Sequence, residues 1–437
     1  MYQFSPSLSA PAEPTSDGQT LFFALDFVYG VGFVGQFCLS GYNLSMRITE
    51  FVIYHVRIPL RKSVRHASHA RSETESIVVR CRLDNGTIGW GEGLPREYVT
   101  GETIDDAWTL LQATDFSKQL AAGFNDLPEA IAMLDRFQLT RPVADDRDCF
   151  GNSVRCAVEL SILDAACRSV QQPLSVVTSL VSETAGIRAQ LDRVRYSMVF
   201  TAMSFLSQVR RALILQIFGL QAAKVKTGVE GVDDRAMLRR LRFLLGRKFD
   251  LRLDANEAWT CANLEAKLAP LLPFGITSVE QPVPHEQVDG LAVLRGRVGV
   301  PLMLDESLCS MVDARRAIER GTCDLFNIRL SKCGGFLNSL RLAAAAHQAG
   351  LGYQLGCQVG ETGILSAAGR HFATSVAGIR YLEGSFDRFL VRERLTKQDI
   401  TFGYGGWAPK LTGPGLSVTI DEAAVARVKQ REMNITL

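Results

Sequence analysis

The chain of 437 residues is 47% hydrophobic, with 37 glycines against 15 prolines, a composition that excludes disordered, collagenous and coiled-coil proteins. Its 48 basic and 46 acidic residues leave a net charge of +2. That is no footprint for a nucleic acid or an anionic membrane, so a small-molecule partner is expected, with no nucleic acid and no membrane.

Residues 1–45 stand apart. They contain no Lys or Arg, are polar and Pro/Ser-rich up to Thr20, and then run apolar from Leu21 to Cys38. A secretion signal requires a basic n-region, so this atypical leader reads as an extension that is not part of the native protein, with Met46 as the start; membrane anchoring is the minor alternative. The ten cysteines, from Cys38 to Cys357, show no CxxC pair and no zinc-ligand spacing, and read as reduced core thiols of a cytoplasmic protein.

RITEFVIYHVRIPL at 47–60 has the β-branched and aromatic density of a strand, and 76–83 reads as another. Asp84, Asn85, Gly86 and Thr87 form a turn, and 88–91 returns the chain. Helical periodicity takes over from 105 to 170, most clearly in VRCAVELSILDAACRSV, where Val154, Ala157, Val158, Ser161, Ile162, Ala165 and Ala166 share a face. Strands followed by helices predict a separate α+β domain over 46–190.

Beyond Arg193 a short apolar strand, a loop and an amphipathic helix alternate eight times, with strands predicted at 196–200, 222–226, 251–254, 278–280, 301–305, 325–330, 352–357 and 380–383. Helices such as 233–245 and 336–349 are long enough for right-handed crossovers between parallel strands. Eight units without a glycine-rich phosphate loop favour a modified TIM-type (β/α) barrel over an open doubly wound sheet, here spanning 191–404. The tail 405–437, with GPGLSVTI, reads as an extra strand that leaves the barrel and returns to the first domain.

In such a barrel the active site forms at the C-terminal strand ends. Strand two ends in Lys224-Val225-Lys226, strand three in Asp254, strand four in Glu280, strand five in Asp305, and strand six reaches Lys332, one functional group every 25 to 28 residues. Three carboxylates on adjacent strands repel unless a cation binds them. Oxygen ligands without His or Cys select Mg²⁺, with Mn²⁺ as second choice. A single such Asp is more often a helix cap, but Glu is not a favoured cap, and the regular register of all three argues against that reading. Lys224 and Lys226 point to one side of their strand, and Lys332 lies across the pocket, so a carbon held over the metal meets an amine on each face. That layout suits removal of a proton next to a carboxylate, with Mg²⁺ stabilising the enediolate and a lysine of lowered pKa as base.

These motifs resemble the enolase superfamily, specifically its muconate-lactonizing subgroup: KxK at Lys224-Val225-Lys226, the triad Asp254, Glu280 and Asp305, and KxGG at Lys332 to Gly335. WGEG at Trp90 to Gly93 and YVTGET at Tyr98 to Thr103 resemble the family's capping domain. The resemblance implies that Lys226 and Lys332 are the acid/base pair, that Lys224 assists the substrate carboxylate, and that the three acids hold the metal. For the substrate it points to Glu361 after strand seven and to Ser385 and Asp387 after strand eight, where dipeptide epimerases carry an Asp-x-Asp pair of which only Asp387 remains. A basic cap loop with Arg65, His66, His69 and Arg71, followed by Arg96, Glu97 and Tyr98, suits an anionic substrate as well as it suits an exposed charged loop.

The expected activity is Mg-dependent abstraction of the α-proton of a carboxylate substrate, racemising or epimerising an amino acid derivative or dipeptide. Muconate-type cycloisomerisation and dehydration use the same intermediate. A non-catalytic barrel is the rival of another class, and its sign would be loss of a ligand or base. A homo-oligomer is compatible with the sequence.

Overall fold

The computed structural model describes residues 45–65, 70–141, 144–201 and 204–437, and the side chains among these except at 63–65 and 70. Residues 1–44 of the leader lie outside the described residues.

The chain begins with β1 (Ile48–Arg65), β2 (Ala70–Leu83) and β3 (Ile88–Gly93), joined antiparallel in that order. Asn85 and Gly86 make the β2–β3 turn: Gly86 has φ of +82°, and Asn85 Oδ1 accepts from Thr87 N at 2.9 Å. After shorter helices comes helix Asn152–Ser169, free of Gly and Pro and rich in Ala. The helical face read from the sequence is only part of the truth: both the apolar positions and Glu159, Ser161 and Asp164 are buried. Gly89, Gly91 and Gly93 alternate along one face of β3, and a Cβ on any of them would meet the backbone of Ser153, Ala157, Ser161 or Ala165 at 1.8–2.2 Å. These glycines let helix and sheet approach at backbone distance.

The two-residue-period segments that follow are β4 (Arg193–Arg195) and then eight parallel strands: β5 (Met198–Phe200), β6 (Ala222–Lys226), β7 (Asp250–Asp254), β8 (Val279–Glu280), β9 (Leu302–Leu304), β10 (Leu325–Ile328), β11 (Gly352–Leu355) and β12 (Ile379–Leu382). They pair in chain order as one curled sheet. Its two edges are joined where Ser197 N donates to Leu382 O at 2.8 Å. Between strands lie crossover helices such as Asp234–Leu245, capped by Asp233, and Phe336–Gln348. Strand interiors are apolar and fully buried at Ala223, Val225, Leu251, Leu253, Val279, Leu302, Leu304, Phe326 and Ile328, as parallel strands covered on both faces require.

Two strands complete the order. β13 (Trp407–Pro409) pairs with β4, and β14 (Lys429–Thr436) pairs antiparallel with β1, Glu50 opposite Thr436. The strand of the tail is thus β14, while GPGLSVTI carries only isolated bridges. Among the described residues no helix is long and apolar enough to cross a membrane, and the nine cysteines there are unpaired.

Candidate active site

The register of the parallel sheet sets the site. Lys226 stands opposite Asp254, and Asp254 opposite Glu280, on β6, β7 and β8. Asp305 follows β9 directly, and Lys332 lies in the turn after β10. All three acids and Lys332 are at most 1% exposed, and Lys224 is 4% exposed. Four of the seven non-glycine residues with positive φ among the described residues, Asn256, Glu257, Gln281 and Ser385, follow β7, β8 or β12 at this same end of the sheet. Strained backbone concentrates where side chains must be aimed.

The buried charges form one network. Lys224 Nζ lies 2.8 Å from Glu280 Oε1, 3.2 Å from Asp254 Oδ2 and 3.1 Å from Glu383 Oε1. Burial alone would lower its pKa, but these three carboxylates outweigh it and hold Lys224 above the usual lysine range. Arg329 presses against Asp305 Oδ2 and is 3.6 Å from Glu280 Oε1. Arg252, fully buried on β7, reaches Glu383 and donates to Ser197 Oγ at 3.1 Å. Two further carboxyls, Glu306 and Glu361, are each pushed up to about 8, chiefly by burial.

The other two lysines differ from Lys224. Lys226 Nζ donates to Asn256 Oδ1 at 2.6 Å and stands 3.9 Å from Asp254 Oδ2. Lys332 Nζ donates to Asp305 Oδ1 at 3.0 Å and to the carbonyls of Asp305 and Asn327 at 2.6 and 2.8 Å. Burial holds both below the ordinary lysine value. Two amines of lowered basicity therefore stand against the acids of β7 and β9, on either side of Glu280.

As the side chains stand, no three His, Cys, Asp or Glu among the described residues enclose a metal position, because Lys224 and Arg329 occupy the space between the acids. Asp254 Oδ2 and Asp305 Oδ2 are nevertheless buried without a hydrogen bond of proper geometry, even though those two cations lie against them. The donor set, carboxylate oxygens with no His or Cys beside them, fits a hard divalent ion in kind.

The remaining sequence-predicted residues divide. Glu361 shares a narrow cleft with Glu383 and Ser385 and accepts from Gln358 N at 2.6 Å. The Ser385 hydroxyl donates to Ile400 O at 2.6 Å and accepts from Arg370 at 2.8 Å, so it is committed elsewhere. Asp387 faces Arg394 at 3.4 Å and does not join the network. The side chain of Arg65 and residues His66 and His69 lie outside the described residues. Arg71 lies over the Tyr98 ring at 5.5 Å. Arg96 is a strut: buried, it donates to Thr74 Oγ1 at 2.9 Å and to Val359 O at 3.0 Å, tying β2 to the loop after β11. Sequence reasoning missed Arg252, Arg329 and the ion pairs of Glu383. The signal was present at Arg252, an arginine two residues before Asp254 and flanked by Leu251 and Leu253, hence on the same side of the strand as Asp254.

A family model described as enolase C-terminal domain-like matches residues 205–424, half of the chain and the part that carries every one of these strand-end groups. N-succinyl-L-Arg/Lys racemase of Bacillus cereus is 29% identical over 337 residues, covering 76% of this chain and 85% of that protein. The fold is that of a dipeptide epimerase from Cytophaga hutchinsonii, solved with Mg and D-Ala-L-Val, with TM-score 0.76 at 22% identity over 89% of this chain and all of that one. It is equally that of muconate lactonizing enzyme from Pseudomonas fluorescens, solved with muconolactone, with TM-score 0.77 at 22% identity over 88% of this chain and all of that one. The chain belongs to the enolase C-terminal domain-like family.

Proposed function

We propose that this protein is an isomerase that racemises or epimerises an amino acid derivative or dipeptide by removing and returning the proton next to its carboxylate. The observation that carries this reading is the pair of depressed amines, Lys226 at Asp254 and Lys332 at Asp305, flanking Glu280 from two sides. A proton removed by one and returned by the other inverts the carbon between them. Asp254, Glu280 and Asp305 are the residues that would hold Mg²⁺, or Mn²⁺ in its place. When bound, that ion supplies Lewis-acid stabilisation of the negative charge that develops on the substrate carboxylate. Lys224, kept charged by three carboxylates, is the fixed cation for the substrate carboxylate. The racemase and epimerase relatives support this substrate class, and the unpaired cysteines support a cytoplasmic setting.

A second reading has its own support. All three Lys332 ammonium hydrogens have acceptors, which suits a stationary cation beside a single base, Lys226, as cycloisomerisation or dehydration requires. Incubation in D₂O with candidate N-acylamino acids and dipeptides separates the two. Racemisation places deuterium at the α-carbon of an inverted product, and Lys226→Ala and Lys332→Ala each abolish exchange from a different enantiomer. Lactone or dehydrated product alone, with α-exchange surviving Lys332→Ala for both enantiomers, would reject the two-base assignment.

A further inference from the structure

A cavity opens at the opposite end of the sheet from the candidate active site. It has a volume of about 540 Å³ and is walled by Ala222, Asp250 and Ile379, the first residues of β6, β7 and β12, together with the β4–β13 pair. That volume is within the range of small-molecule sites.

Its charge is one-sided. Arg193, Arg195, Lys248 and Arg380 line it, against the single carboxylate of Asp250. Asp250 accepts from Thr277 Oγ1 at 2.5 Å and forms no ion pair with any of the four cations. Three of the four are barely engaged by the protein. The Arg193 guanidinium lies over the Trp407 ring at 4.4 Å and donates no hydrogen bond to a described residue. Stacked in that way, a guanidinium keeps its in-plane N–H groups for a carboxylate or phosphate. Lys248 has no hydrogen bond or ion pair with a described residue, and Arg380 makes one long bond, to Thr277 O at 3.3 Å, and lies over the Tyr381 ring at 5.4 Å. Arg195 serves as scaffold, donating to Gly405 O at 2.7 Å and Gly219 O at 3.0 Å. Three under-used cations from three separate elements around one concavity make a positive field that an anion of matching charge relieves.

We propose that this cavity is a binding site for a small organic dianion, of dicarboxylate or phosphate type, distinct from the candidate active site. The shared chemistry is a pair of anionic oxygens held by the guanidinium of Arg193, with Lys248 and Arg380 as further positive charges.

The test uses the full chain, with succinate and inorganic phosphate titrated separately and binding followed by calorimetry and by tryptophan fluorescence. At least one probe should bind saturably. Arg193→Gln and Lys248→Gln should each weaken that probe about tenfold or more, the scale of one lost charge-assisted contact. Lys226→Ala, at the other end of the barrel, should leave its affinity unchanged, and wild-type melting temperatures of the two Gln variants establish that they are folded. Which probe binds tells a dicarboxylate site from a phosphate site. No saturable binding of either probe, equal affinity in the folded Gln variants, or loss of binding in Lys226→Ala would each overturn the proposal.

Discussion

Replacing Gly91 by Ala tests how the first domain supports the chemistry. The new Cβ would lie 2.0 Å from Ala157 O and 2.7 Å from Ser161 N, where real Cβ contacts stay beyond 3.0 Å. Both neighbours are helix backbone, so no side chain can rotate to make room. Helix Asn152–Ser169 and β3 must therefore part by about 1 Å, and overpacking of this kind costs about 1–3 kcal/mol. The same helix begins with Asn152, whose Nδ2 donates to Lys332 O and to Cys309 O, each at 2.8 Å. A shift of that size stretches both bonds and releases the turn that aims the Lys332 amine. Misplacement near 1 Å is enough to cost about a hundredfold in rate. The assay is thermal unfolding together with the α-deuterium exchange rate. Gly86→Ala is the control, because its φ of +82° strains any side chain while nothing lies within 4 Å. Gly91→Ala should lose a few degrees of melting temperature and most of the exchange rate, whereas Gly86→Ala should lose stability alone. If Gly91→Ala melts with wild type, or keeps full exchange, the helix does not position Lys332 in this way.

Two further outcomes are expected. Mg²⁺ should raise the melting temperature of the wild type, by about 2.7 kcal/mol of stabilisation at a hundredfold excess over its dissociation constant, and Asp254→Asn should abolish the rise; an equal rise in that variant would remove Asp254 from the ligand set. His371, fully buried, is pushed down to about 4 by burial, so the fold holds it neutral while the unfolded chain takes up a proton below about 6.5. Its contribution of about 3 kcal/mol is complete above pH 6.5 and lost as pH falls toward 4. Glu92, Glu102 and Glu159, raised to about 7 by burial, run the opposite way, their contribution being lost as pH rises from about 4.5 through 7. The difference in denaturant stability between wild type and His371→Gln therefore isolates the histidine, and a difference that does not vary between pH 4 and 6.5 contradicts its being held neutral.

What the sequence disclosed follows from how the barrel is built. Each βα unit ends its strand at the same end of the sheet, so Lys226, Asp254, Glu280 and Asp305 could be brought to one place from spacing alone. Contacts across the curled sheet carry no such period. Glu383, directly after the last barrel strand, meets Lys224 on the second only because the sheet curls until Ser197 and Leu382 share a hydrogen bond. Arg329 is three residues from Lys332, yet its contact with Asp305 depends on side-chain direction after β10. Ser385 and Asp387, singled out by the family resemblance, sit beside Glu383 in the chain, yet their side chains meet Arg370 and Arg394 rather than the buried charge network. Helix Asn152–Ser169 showed an apolar face to periodicity, whereas its polar residues are buried too: Asn152 and Glu159 bond to the barrel, and Asp164 accepts from Trp90 N and Leu416 N.

Those buried polar partners explain why the two domains work as one object. The Glu92 carboxylate accepts from Thr362 N and Leu365 N, both at 3.2 Å, at the start of helix Gly363–Ser375. Glu159 accepts from Leu337 N at 3.0 Å at the start of helix Phe336–Gln348. An acceptor at a helix N-terminus satisfies amides that the helix itself leaves unpaired. Here the acceptors come from the first domain and the helices from the barrel, following β11 and β10. Leu94 N adds a bond to Ser331 Oγ at 2.8 Å, beside Lys332. Loops after β10 and β11 are thus tied to the first domain as well as to their own strands, and a barrel without that domain would lose the contacts of Asn152 and Leu94 that hold the backbone of the Lys332 turn, while the amine itself would keep Asp305 and Asn327.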